Sequence, residues 1–153
     1  SHYEDVLVVR VHEMVPKRIW QKRFEQINSF EKMLTEEGVT ILKFYLHISK
    51  EEQKQRFIER VSDPQKQWKF NPQDIEERKF WEHYQEAYEE MLNKTSTSWS
   101  PWYAIPANHN WYRDLCVASI IIDTLQSLQL KYPTPLANPE TYIKAFESED
   151  KRD

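Results

Sequence analysis

GVTILKFYLHISKEE, residues 38–52, decides the fold. Gly38 sits where a helix end uses a left-handed residue, a conformation that glycine adopts without steric cost. The run after it, residues 39–49, is rich in β-branched and aromatic side chains and reads as a buried strand. Ser49 followed by Glu52 then spells a capping box, in which hydroxyl and carboxylate satisfy free amides at a helix start reciprocally. One stretch thus carries a helix end, a strand and a helix start.

Upstream, Trp20, Phe24, Ile27 and Leu34, with Phe30 flanking, recur at three- and four-residue steps. That spacing predicts an amphipathic helix over 16–36, with Pro16 in its first turn. Downstream, a helix runs from about 50 to about 61 until Asp63-Pro64 breaks it. Asn71, with Pro72 at the first helical position, opens another to about 93, where Trp81, Tyr84, Tyr88 and Met91 form a packing stripe. TSTSWSP, residues 95–101, is a polar connector, and WYAIPA, 102–107, is a second strand. Trp111, Leu115, Ala118, Ile122 and Leu125 mark a last amphipathic helix to about 130. Helix, strand, two helices, strand and helix make an α/β alternation. VLVVRVH, residues 6–12, fits a strand by propensity or a buried helix. Residues 133–153 hold three prolines and many charges, and read as a loosely attached tail with one helical turn after Pro139.

Bulk properties narrow the function. A chain of 153 residues fits one domain, and 14% aromatic residues mark it as folded. No run nears the roughly 18 apolar residues of a membrane span, and the start lacks signal-peptide regions, so the expected compartment is the cytoplasm. A net charge of −4 argues against a nucleic-acid protein that relies on overall positive charge. Cys116 is the sole cysteine, which excludes an intrachain disulfide and a multi-cysteine metal site and fits a small buried residue. HEMVP, residues 12–16, begins like a zinc-protease motif, but Pro16 occupies the second ligand position. His2, His47, His83 and His109 offer no other ligand spacing, so no metal site is expected from them.

The unusual feature is a local cluster of cations. Arg56 and Arg60 are four apart, so both guanidinium groups lie on one face of the 50–61 helix, with Phe57 and Val61 as an adjacent apolar stripe. Lys66 and Lys69 follow in the loop beside Trp68. Composition leaves two readings, a solvated helix and loop, or a mobile element that folds over a ligand with several negative charges. Arg10 reads as a structural ion-pair residue.

SHYEDVLVVRVHE at 1–13, FYLHISKEEQKQRF at 44–57, DPQKQWKF at 63–70, DIEERKFWEHYQEAYEEML at 74–92 and IPANHNWYR at 105–113 together resemble the second polyphosphate kinase family, from Ser1 to about Leu130. The resemblance implies part of a P-loop-kinase-like three-layer fold, with parallel strands flanked by helices and a helical lid at about 50–93. It implies an enzyme that transfers a phosphoryl group between inorganic polyphosphate and a nucleoside mono- or diphosphate with magnesium. Residues 1–132 then match the C-terminal portion of the kinase domain. Arg56 and Arg60 become catalytic phosphate clamps, and Lys66 and Lys69 closing cations. Tyr3 and Arg10 match residues just after the family's second acidic motif. Asn108 and Arg113, after the second strand, offer either a base or ribose contact or ordinary helix capping and packing.

The family's glycine-rich Walker A loop, with its lysine and magnesium-binding aspartate, lies upstream of every matched segment, and the lone Gly38 cannot replace it. Magnesium is therefore expected for the intact enzyme with its ligands outside this chain. The chain alone is expected to be inactive, and to associate as a homo-oligomer or with the missing N-terminal half. The alternative is a non-catalytic anion-binding or protein-assembly module.

Overall fold

The computed structural model describes residues 1–149. Contacts divide the chain into two compact units with a boundary between Ile121 and Ile122.

The first unit opens with a 3₁₀ turn, His2–Val6, and a short helix α1, Val8–Val11. The apolar start is therefore helical, because Tyr3, Val6 and Leu7, at helical spacing, are the residues it buries. Helix α2, Lys17–Glu36, buries Trp20, Phe24, Ile27 and Glu31, with Pro16 as its N-cap residue. Gly38 ends this segment at φ 88°, the left-handed value expected of it.

Strand β1 is Lys43–His47, shorter than the apolar run that suggested it, because its partner β2, Trp102–Pro106, is equally short. The two pair in parallel, with Lys43 opposite Trp102 and His47 opposite Pro106. Helix α3, Lys50–Ser62, is capped by the Ser49 hydroxyl, which accepts from the Glu52 amide. The other half of the expected capping box is absent: the Ser49 amide donates to Asn108 Oδ1 at 3.0 Å, and the Glu52 carboxylate accepts from Arg56. The single helix expected over 72–93 is divided into α4, Gln73–Glu77, a 3₁₀ turn at Arg78–Phe80, and α5, Trp81–Thr95. At that turn Arg78 reaches across to the Lys50 carbonyl and to Gln53 of α3. Helix α6, Asn110–Ser127, follows β2 and continues past the boundary into the second unit.

The core forms where the N-terminal turn, α2 and α5 meet, around Tyr3, Val6, Leu7, Trp20, Phe24, Ile27, Ala87 and Met91. Burial contributes roughly 1.5–3 kcal/mol for each side chain the size of Phe24, Ile27 or Met91. A polar knot lies within it. The Tyr3 hydroxyl donates to Glu31 Oε1 at 2.6 Å, and Lys43 Nζ donates to Glu31 Oε2 at 2.7 Å and to the Thr95 carbonyl at 2.7 Å. This knot joins the N-terminal turn, α2, β1 and the end of α5.

In the second unit, helix α7 spans Pro139–Glu149, three turns where the sequence suggested one. The last four residues of the expected tail lie outside the described residues.

Candidate functional site

Both strands point the same way, so β1 and β2 release the chain at the same, carboxyl, end of the sheet, at His47 and Pro106. There the Ala107 amide donates to the His47 carbonyl at 2.8 Å and holds the two exits together. The turn after β1 starts α3, and the turn after β2 starts α6.

Three residues expected to contact substrate meet at this end. Arg56 Nη2 donates to the Ala107 carbonyl at 2.6 Å, to the Asn108 carbonyl at 3.2 Å and to Asn110 Oδ1 at 3.4 Å. Its Nε donates to Glu52 Oε1 at 2.8 Å. Asn108 accepts the Ser49 amide and returns a longer bond from Nδ2 to the Ser49 hydroxyl at 3.4 Å. Arg113 Nη1 donates to the same Asn110 Oδ1 at 3.1 Å and pairs with Asp114. Asn110 thus bridges two guanidinium groups, a role its place in the sequence does not signal, since Arg56 lies 54 residues away.

One helical turn along α3, Arg60 lies on the same face as Arg56, with its guanidinium carbon 5.4 Å from the Phe57 ring centroid. Among the described residues it has no ion pair, whereas Arg56 has Glu52. Lys66 pairs with Asp63 at 2.9 Å, and this hydrogen bond raises the Lys66 pKa while holding the Asp63 carboxyl below the usual range. Lys69 lies 5.0 Å from the ring of Trp68, which is 78% exposed. The loop therefore presents two lysines and a bare indole to solvent.

Tyr3 and Arg10 belong to neither group. Tyr3 is buried with its hydroxyl bound to Glu31 and Lys43, and burial followed by the bond to Glu31 pushes its pKa up. Arg10 pairs with Glu90 and lies 4.8 Å over the Trp20 ring. The Tyr3 hydroxyl is thus enclosed in the core, whereas the Arg10 side chain, 20% exposed, keeps the ion pair its sequence reading suggested.

The stripe read as a packing face does more than pack. Trp81, Tyr84 and Tyr88 line a cleft of about 320 Å³ together with Glu4, Asp74 and Glu77. The Tyr84 phenol is pushed up to about 12, by burial first and then by the Glu77 charge. The sequence hides this cleft because its acids come from two separate segments, Glu4 from the N-terminal turn and Asp74 and Glu77 from α4.

Among the described residues, no group of three or more His, Cys, Asp or Glu is placed to hold a metal ion. The described residues therefore do not fit a magnesium site. No described helix is long and apolar enough to cross a membrane.

A family model described as Polyphosphate kinase 2 (PPK2) matches residues 1–133. An AMP/ADP-polyphosphate phosphotransferase of Meiothermus ruber is 57% identical over 143 residues, covering 94% of this chain and 54% of the relative. An ADP-polyphosphate phosphotransferase of Rhodopseudomonas palustris is 44% identical, covering 92% and 53%. The crystal structure of Polyphosphate Kinase 2 from Arthrobacter aurescens TC1 matches with a TM-score of 0.86 at 42% identity, covering 96% of this chain and 52% of that one. The chain spans about half the length of these three relatives.

Proposed function

Since the chain belongs to the polyphosphate kinase 2 family, we propose that it is the lid-bearing C-terminal portion of a polyphosphate-dependent nucleotide phosphotransferase. In such an enzyme the bond between the terminal phosphorus and its bridging oxygen breaks, a nucleotide phosphate oxygen forms the new bond to that phosphorus, and the bridging oxygen leaves as the new end of the shortened polyphosphate. The protein's task is positioning and the stabilisation of charge on the equatorial oxygens.

The observation that carries this reading is Arg60, a guanidinium without a carboxylate partner among the described residues, on the face of α3 that also meets the strand exits. It suits a bidentate clamp on phosphate, with Lys66 and Lys69 as point charges from the following loop. Asn108 and Arg113 follow the carboxyl end of β2, and open α/β folds receive ligands beyond the carboxyl ends of their strands. Among the described residues the parallel sheet has two strands and open outer edges, which supports association with a further strand-bearing half, since an open edge is a template for pairing. Exposed Trp111 and Leu115 on α6 belong to the surface such an association would cover.

A non-catalytic anion-binding module is the second reading, favoured by the single glycine, which leaves no backbone cradle for phosphates. One assay separates the two. The pure chain with ADP, polyphosphate and magnesium should form no ATP, and adding the N-terminal half of the Meiothermus ruber relative should restore formation. ATP from the chain alone refutes its dependence on another half. No ATP from the mixture favours the binding module.

A further inference from the structure

The two arginines of α3 differ in their surroundings. Arg56 has its charge matched by Glu52 and its Nη2 turned into the Ala107 and Asn108 carbonyls. Ala107 is 1% exposed, so its carbonyl lies at a strand exit where water has little access. Arg60, one turn further on, has neither carboxylate nor carbonyl among the described residues.

The start of α3 is equally unusual. In a closed capping box Glu52 would return to the Ser49 amide. Here Glu52 orients Arg56 instead, and Asn108, 59 residues away, takes the Ser49 amide. The cap is thereby completed by the turn after the other strand. Two tertiary links, at Ser49 and at Arg56, fasten the first two turns of α3 to the 107–110 turn.

We propose that Arg56 and Asn108 are positioning residues: they fix the base of the lid helix to the carboxyl end of the sheet and so set where Arg60 meets a polyanion, and Arg56 does not itself touch that ligand. This rests on the reading of α3 as part of a polyanion site, and it moves Arg56 from the role of phosphate clamp to that of anchor. Because the links join α3 to the turn that opens α6, a ligand that shifts either turn shifts both.

The test uses the full chain and inorganic polyphosphate. Hydrogen exchange is measured over residues 50–56 in Arg56→Ala, Asn108→Ala, Asn108→Asp and Arg60→Ala. The first two should raise exchange about tenfold or more. Asn108→Asp, which keeps an acceptor for the Ser49 amide, should restore protection, and Arg60→Ala should leave it unchanged. Polyphosphate affinity is then followed across salt concentration. Each cation that touches a polyanion contributes about 0.7–0.9 to the slope of log K against log salt. Arg60→Ala should lower the slope by that amount, whereas Arg56→Ala should weaken binding severalfold at unchanged slope.

An equal slope loss in Arg56→Ala would overturn the proposal, as would wild-type exchange over 50–56 in both Arg56→Ala and Asn108→Ala. A wild-type chain that binds no polyphosphate would refute the polyanion reading instead, and the exchange arm would still decide whether the two residues fasten α3.

Discussion

Lys43 Nζ donates to Glu31 Oε2 at 2.7 Å inside the core, with side-chain exposures of 5% and 2%. The pair ties the first strand to α2, and Tyr3 and the Thr95 carbonyl complete its hydrogen bonding. Burial pulls the Lys43 pKa down, and its bond to Glu31 only partly offsets this. Lys43→Met strands a buried carboxylate and should cost about 3–5 kcal/mol. The double variant Glu31→Leu/Lys43→Met should cost less than Lys43→Met alone. Urea denaturation of the three proteins checks this, and an equally costly double variant contradicts it.

The same knot sets an acid limit. Burial alone would raise the Glu31 pKa, but hydrogen bonds from Lys43 and Tyr3 outweigh it and hold the carboxyl below its usual range. Glu90 is likewise held low against the effect of burial, by Lys94 and Arg10. Both groups bind protons more weakly folded than unfolded, so their stabilisation is present above about pH 4.3 and is lost as pH falls through their depressed folded values. Thermal melts from pH 7 to pH 3 should show stability falling below that point. Glu31→Gln should flatten the fall, and an unchanged acid limb would contradict the assignment.

Gly38 ends the α2 segment at φ 88°, with open space where a Cβ would stand. Gly38→Ala should therefore cost about 1–2 kcal/mol through backbone conformation alone. A neutral result in urea denaturation would mean that the turn relaxes to a conformation alanine adopts freely.

Lys69 lies beside the indole of Trp68, which is largely exposed. A polyanion that draws Lys69 away changes the charge next to that ring, so polyphosphate should alter tryptophan emission. Trp68→Phe should remove most of the response. A response undiminished in that variant would place binding elsewhere.

The legible parts of the fold were those governed by neighbours in sequence. Gly38, Ser49 and the apolar spacing of Trp20, Phe24 and Ile27 each act through local geometry, and each lies where its pattern implied. The second half of the capping box was not legible, because Asn108 approaches Ser49 from another strand exit. Spacing placed Arg56 and Arg60 on one face but was silent about the carbonyls waiting opposite Arg56. The partners of Tyr3 and Arg10 were hidden for a related reason: a motif locates a residue along the chain, while packing decides what its polar end meets, here Glu31 and Lys43 for Tyr3 and Glu90 for Arg10. The long helix over 72–93 failed at Arg78, whose side chain is held by α3.

The most direct measurement is calorimetric titration of the chain with polyphosphate at two salt concentrations, beside Arg60→Ala/Lys69→Ala. The account predicts exothermic binding that weakens steeply with salt and falls at least tenfold in the double variant. Binding equal in both proteins, or insensitive to salt, would contradict the claim that the cations of α3 and the following loop form a polyanion site.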